Sequence, residues 1–162
     1  MTRVNVIDPT VLLNQHLMAE IREMPMVTAS LKRSLLSKNG VDWKKLPESY
    51  TLNKGHVKFF YNKGAWLEKR WHLIIDEALA RGWNVDRSRM DFSVWRENDA
   101  MNDYTVHAND IRINLERIVQ RVYEKPTFYV YTGSSDFTVQ QIVEGYESAL
   151  KCLTDTVQPR TM

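Results

Sequence analysis

The chain has 162 residues, 43% of them hydrophobic and 26% charged, which suits one domain around one core. No stretch approaches the ~20 apolar residues of a membrane-spanning helix, and the single cysteine, Cys152, excludes an intramolecular disulfide. The formal net charge of +2 does not by itself single out a polyanionic partner. Its distribution is more informative: residues 1–70 hold twelve Lys/Arg against six Asp/Glu, residues 71–133 eight against ten, and residues 134–162 two against four. An uneven field of this kind steers a polyanion to one face, the ordinary alternative being a solvated surface at Lys32, Arg33, Lys44 and Lys45. No secretory leader is expected, and a reducing cytoplasm is the expected compartment, with Cys152 a buried apolar residue on a late helix.

Asp8-Pro9 predicts a helix start, with an acidic N-cap and proline at the first helical position. Leu12, Leu13, Leu17, Met24, Val27, Leu31 and Leu35 recur at helical spacing up to the Asn39-Gly40 stop. Pro25 falls inside this element and should kink or break it, because it removes a backbone donor and clashes with the preceding turn. Residues 41–62 read as an irregular connection pinned to the core by the GHVKFFY segment.

A second helix is predicted over about 64–81, with Trp66, Leu67, Leu73, Ile74, Ala78 and Leu79 as its apolar stripe and Gly82 as its stop. Residues 83–107 read as polar and loop-like, with room for short turns. A third helix over about 108–123 buries Ile111, Leu115, Ile118, Val119 and Val122, and Pro126 ends it. An aromatic segment, PTFYVYTG, follows. Ser134, Ser135 and Asp136 are candidate caps for an additional helix whose apolar face runs from Phe137 to Leu153, a docked helix rather than a partner-binding one. Residues beyond 156 are expected to fray. The expectation is therefore all-α: a single compact domain of three main helices with irregular connections over residues 1–133, plus an amphipathic extension over 134–162.

Chemistry concentrates near the start of the chain. Initiator methionine is usually removed before a small residue such as Thr2, and the exposed α-amine titrates at roughly 7.7–8.0, so much of it is neutral near pH 7. A neutral amine forms a Schiff base with a sugar carbon. His16, Glu20 and Glu23 share a helix face at spacings of four and three. A carboxylate there can stabilise cationic charge and shuttle a proton, although an exposed glutamate on a helix is ordinarily only solvated. Arg3, Arg22, Arg117 and Arg121 are candidate phosphate contacts because the guanidinium fork grips two oxygens, with pairing of the last two to Glu116 or Glu124 as the alternative. His56, His72 and His107 read as structural. The histidines lack metal-type spacing with Cys152, so no metal site is expected.

Three segments in order, TRVN, QHLMAEIRE followed by Pro25, and GHVKFFYNKGAWLEKR, resemble the phage pyrimidine-dimer DNA glycosylase/AP lyase family from Thr2 to about residue 133. The resemblance implies an all-helical enzyme that works on double-stranded DNA without metal or cofactor, flips a nucleotide, attacks its sugar carbon with the N-terminal amine and nicks the strand by β-elimination. It selects Glu23 over Glu20 as the catalytic carboxylate. It places Arg3, Arg22, Arg117, a basic residue at 121, and the Gln15-His16 pair near the DNA. Phe128, Tyr129 and Tyr131 occupy a run that the family associates with damage recognition, and stacking on them suits a damaged base. Met26 stands where the family carries arginine, Ile21 where it carries an aromatic, and Phe128 and Val130 where it carries tryptophan and lysine. A non-catalytic DNA-binding protein on the same scaffold is the alternative function, and a structural protein with a helical interaction tail a third.

Overall fold

The structure is a computed structural model and describes residues 4–133 and 136–155. Among the described residues, seven α-helices carry the fold: α1 (Asn14–Glu23), α2 (Pro25–Leu36), α3 (His56–Phe59), α4 (Gly64–Ala80), α5 (Ser93–Glu97), α6 (Ala108–Glu124) and α7 (Val139–Asp155). Among the described residues there is no strand, only an isolated bridge between Lys63 and Met101. The all-α expectation holds. None of the helices is long and apolar enough to cross a membrane.

The first element differs from its prediction. Asp8 caps only a single 3-10 turn, Pro9–Val11, and Leu12 and Leu13 are extended before α1 begins at Asn14. The reason lies far along the chain. The Asn14 N–H donates to the Val130 carbonyl at 2.8 Å instead of to Thr10 one turn back, and the Thr10 carbonyl accepts from the Tyr131 hydroxyl at 2.8 Å. In this extended stretch the two adjacent leucines are both fully buried.

The predicted kink falls at Met24, which joins α1 to α2 in helical conformation while Pro25 opens α2 without an N–H. Helix α1 packs on α4, and the core gathers Leu17, Met24, Leu31, Phe60, Trp71 and Trp95. Leu73 and Leu79, expected on the apolar stripe of α4, are exposed, and Arg70 and Glu77 are buried in their place. Gly64 starts α4 tightly beneath Trp95, where a Cβ would sit 2.6 Å from the Trp95 Cβ. The segment read as loop, 83–107, holds a 3-10 turn and α5, with Met90, Phe92, Val94 and Trp95 reaching the core.

Helix α7 docks on α6 through Ile142 and Tyr146, and the Tyr146 hydroxyl donates to the Val11 carbonyl. Its cap is Thr138. The Thr138 hydroxyl accepts from the Gln141 N–H at 3.2 Å, and the Gln141 side chain accepts from the Thr138 N–H at 2.9 Å, a reciprocal capping box. Of the expected caps, Ser134 and Ser135 lie outside the described residues, and Asp136 is exposed two residues before Thr138, which takes the capping position instead. Cys152 is exposed, contrary to expectation, because the docked face of α7 runs through positions 142 and 146 and Cys152 points away from it.

A candidate nucleic-acid interface and catalytic site

Of the arginines and aromatics singled out by sequence, Arg22, Arg117, Arg121, Phe128 and Tyr129 meet at one cleft of about 400 Å³. One wall is a stripe of α1 at helical spacing: Gln15, Met18, Ala19 and Arg22. The opposite wall is α6, through Arg117, Ile118, Arg121 and Glu124, and the aromatic segment closes one end with Lys125, Phe128 and Tyr129. Asn5 also lines it, so the N-terminal segment reaches the same space. Among the described residues, four cations against one carboxylate make this a positive groove suited to a phosphodiester backbone.

Individual residues behave differently within it. Arg22 and Arg121 are exposed; Arg121 pairs with Glu124 at 3.2 Å and Arg117 donates to Asn53 at 3.2 Å. These are exposed, solvent-screened contacts that a phosphate can replace at little cost. Glu116 is taken by Arg112 instead. His16 stacks against Tyr129 with ring centroids 4.7 Å apart, and both ring nitrogens are shielded from solvent without a hydrogen-bond partner among the described residues. Burial lowers the His16 pKa to about 4, so the ring is neutral at physiological pH.

Gln15 is engaged with protein. Its amide donates to the Phe128 carbonyl at 2.9 Å and accepts from the Val130 N–H at 2.9 Å, while Asn14 accepts from the Thr132 N–H at 3.1 Å. The start of α1 thus holds the aromatic segment as a partner strand would. Phe128 is exposed and Tyr129 half-buried over His16. Tyr131 does not join the cleft: it reaches Thr10 and lies beside the Arg81 guanidinium, 5.0 Å from ring centroid to carbon.

Glu23, the last residue of α1, is buried at 6% exposure, one residue beyond the cleft-lining Arg22. Glu20, one turn earlier, has a different job. Its carboxylate accepts from Arg70 Nε at 2.8 Å and Nη2 at 3.0 Å, and from the Asn5 backbone N–H at 3.1 Å and side-chain amide at 2.9 Å. Thr2 and Arg3 lie outside the described residues; what the structure shows is the segment that carries them.

Among the described residues, the backbone of residues 4–7 is held by side chains. The Val4 N–H donates to His56 Nε2 at 3.1 Å and the Val4 carbonyl accepts from the Tyr50 hydroxyl at 2.9 Å. The Val6 N–H donates to Asn114 Oδ1 at 2.8 Å, Asn114 Nδ2 donates to Asn5 Oδ1 at 2.8 Å, and Arg70 donates to the Ile7 carbonyl. Burial, with the Glu20 carboxylate nearby, pushes the Tyr50 phenol up, so it stays a donor. Gly55 makes this possible by capping α3 at φ +97°, a left-handed conformation that presents His56 at the helix start. Sequence reading missed Asn5, Tyr50, Arg70 and Asn114. The available signal was polar residues at core-facing positions: Asn114 beside Leu115 and Ile118, and Arg70 between Leu67 and Ile74.

His72 and His107 have structural partners as expected, His72 with Arg87 at 2.8 Å and His107 as the cap of α6 with Asp110. Among the described residues no cluster of His, Cys, Asp or Glu is arranged to hold a metal. Residues 1–91 match the family model described as pyrimidine dimer DNA glycosylase, a stretch that contains Glu23, the kink and the whole clamp on residues 4–7 except Asn114. With more than half of its length matched, the chain belongs to the pyrimidine dimer DNA glycosylase family, a family of DNA-repair glycosylases.

Proposed function

We propose that this glycosylase is also an AP lyase, and that it removes cyclobutane pyrimidine dimers, or a related damaged or modified pyrimidine, through an imine on its N-terminal amine. The observation that carries the reading is the single cleft in which Arg22, Arg117, Arg121, His16, Phe128 and Tyr129 meet beside the N-terminal segment. Loss of Met1 frees the Thr2 amine. Its lone pair attacks C1′ of a flipped deoxyribose, and the base leaves with the glycosidic electron pair. The C1′–O4′ bond then opens, O4′ takes a proton, and C1′ becomes an iminium carbon. Loss of a C2′ proton and departure of the 3′ phosphate nick the strand, and water releases the amine. Glu23 is the carboxylate that stabilises the cation and shuttles these protons. Arg3, Arg22, Arg117 and Arg121 grip phosphates, and Phe128 and Tyr129 meet the damaged bases.

Incubation of Met1-free protein with irradiated, undamaged and abasic duplexes, with and without borohydride, tests this. Nicking of the irradiated and abasic duplexes and a reduced adduct at residue 2 are expected. Binding without nicking or adduct would mean a non-catalytic DNA-binding protein, and an adduct at a lysine would displace Thr2 as the nucleophile.

A further inference from the structure

We infer that His56 and Tyr50 are positioning residues for the N-terminal amine, acting through Val4; this rests on the amine reading above. The Thr2 nitrogen is two residues from the Val4 nitrogen, so covalent geometry confines it to within about 7 Å of that atom. Where the amine can reach is therefore set by where Val4 is fixed. Val4 is fully buried, and both of its backbone polar groups are used: the N–H by His56 at 3.1 Å and the carbonyl by the Tyr50 hydroxyl at 2.9 Å.

The two side chains are themselves fixed. His56 Nδ1 lies 2.7 Å from the Thr51 carbonyl, which makes it the protonated nitrogen and leaves the Nε2 lone pair for Val4. The Tyr50 and His56 rings meet edge to face at 5.6 Å, and Phe60 packs against both. Both residues lie between α2 and α4, Tyr50 in the connection and His56 at the start of α3, far in sequence from α1 and Glu23. The downstream end of the segment is tied to α1 itself, since Glu20 holds Asn5 one helical turn from Glu23. Val4 is thus anchored between two independent supports. A hydrophobic side chain would bury Val4 equally well; two directional bonds add a fixed rotation and height along the chain. Attack on a sugar carbon requires contact near 3–3.5 Å, and a displacement of about 1 Å costs up to about 100-fold in rate.

Three variants read this out by single-turnover borohydride trapping on an abasic duplex, alongside duplex affinity and thermal unfolding. Tyr50→Phe keeps the ring and removes one bond. His56→Ala removes the acceptor, and His56→Gln restores one. A single glycine inserted between Arg3 and Val4 leaves the anchor untouched and lengthens the arm by about 3.5 Å. Tyr50→Phe, His56→Ala and the insertion are expected to slow trapping about 10- to 100-fold with affinity within about threefold, and His56→Gln to recover part of the rate. The insertion is decisive where a core variant unfolds. Trapping at the wild-type rate by the insertion variant and by folded Tyr50→Phe would overturn the inference. Absence of a residue-2 adduct in the wild-type protein would instead overturn the amine reading.

Discussion

Glu20 and Arg70 meet in the core as a two-point ion pair, Oε1 to Nε at 2.8 Å and Oε2 to Nη2 at 3.0 Å, with Glu20 at 0% exposure. The pair does more than neutralise itself, because the same carboxylate takes both N–H donors of Asn5 and the same guanidinium reaches the Ile7 carbonyl. Arg70→Met leaves a buried carboxylate without its cation, and urea unfolding should show a loss of about 3–5 kcal/mol. The double variant Glu20→Leu with Arg70→Leu should regain most of that stability. On the proposed imine mechanism, trapping on an abasic duplex should stay slow, since Asn5 has lost its bonds to Glu20 and Ile7 its bond to Arg70, with only Asn114 left on Asn5.

Glu23→Gln keeps shape and removes charge. DNA affinity should be preserved, while base excision from an irradiated duplex falls by more than the ~10²–10⁴ typical of one acid–base group, because in the proposed mechanism the carboxylate also stabilises the iminium. Rapid-quench measurement of excision checks this; undiminished turnover would move the carboxylate role elsewhere.

His16 ties stability to pH. Its folded pKa of about 4 lies below its ordinary 6.5 because the ring is buried. Between those values the unfolded chain binds the extra proton, so stability rises with pH through the window and is lost as pH falls from 6.5 toward 4. Denaturant unfolding at several pH values should show that slope in the wild type. His16→Gln should flatten it.

Charge and lesion choice should separate experimentally. Each phosphate contact contributes a log–log salt slope of about −0.9, so Arg22→Ala or Arg117→Ala should weaken binding to any duplex and reduce the slope by about one unit. Met26 is 46% exposed on the first turn of α2, and Met26→Arg should tighten binding and steepen the slope without changing which lesion is cut. A salt titration on one plain and one irradiated duplex reads all three.

The aromatic segment gives a contrast between neighbours. Tyr129→Ala and Phe128→Ala should lower the preference for irradiated over plain duplex, as each stacking platform contributes about 1–3 kcal/mol. Tyr131→Phe should leave that preference alone and instead lower stability by about 1 kcal/mol, since its hydroxyl bonds Thr10 outside the cleft. Competition binding with the two duplexes, and a melt, distinguish these outcomes.

Local chemistry made much of this chain legible before any coordinates. Helical periodicity marked α1–α2, α4, α6 and α7, Pro25 marked the break between α1 and α2, and His16, Glu20 and Glu23 were already one face of a helix. Those features depend on neighbours within a turn or two, which sequence spacing records directly. Other features depended on groups far apart in the chain. Only the fold brought Val130 and Tyr131 against residues 10–14, which shortened the first helix, and only the fold showed that Gln15 holds the aromatic segment. The same holds for the clamp on residues 4–7, assembled from positions 20, 50, 56, 70 and 114. A buried backbone group must find a partner somewhere, but sequence does not say which distant side chain supplies it, because that is decided by how helices pack.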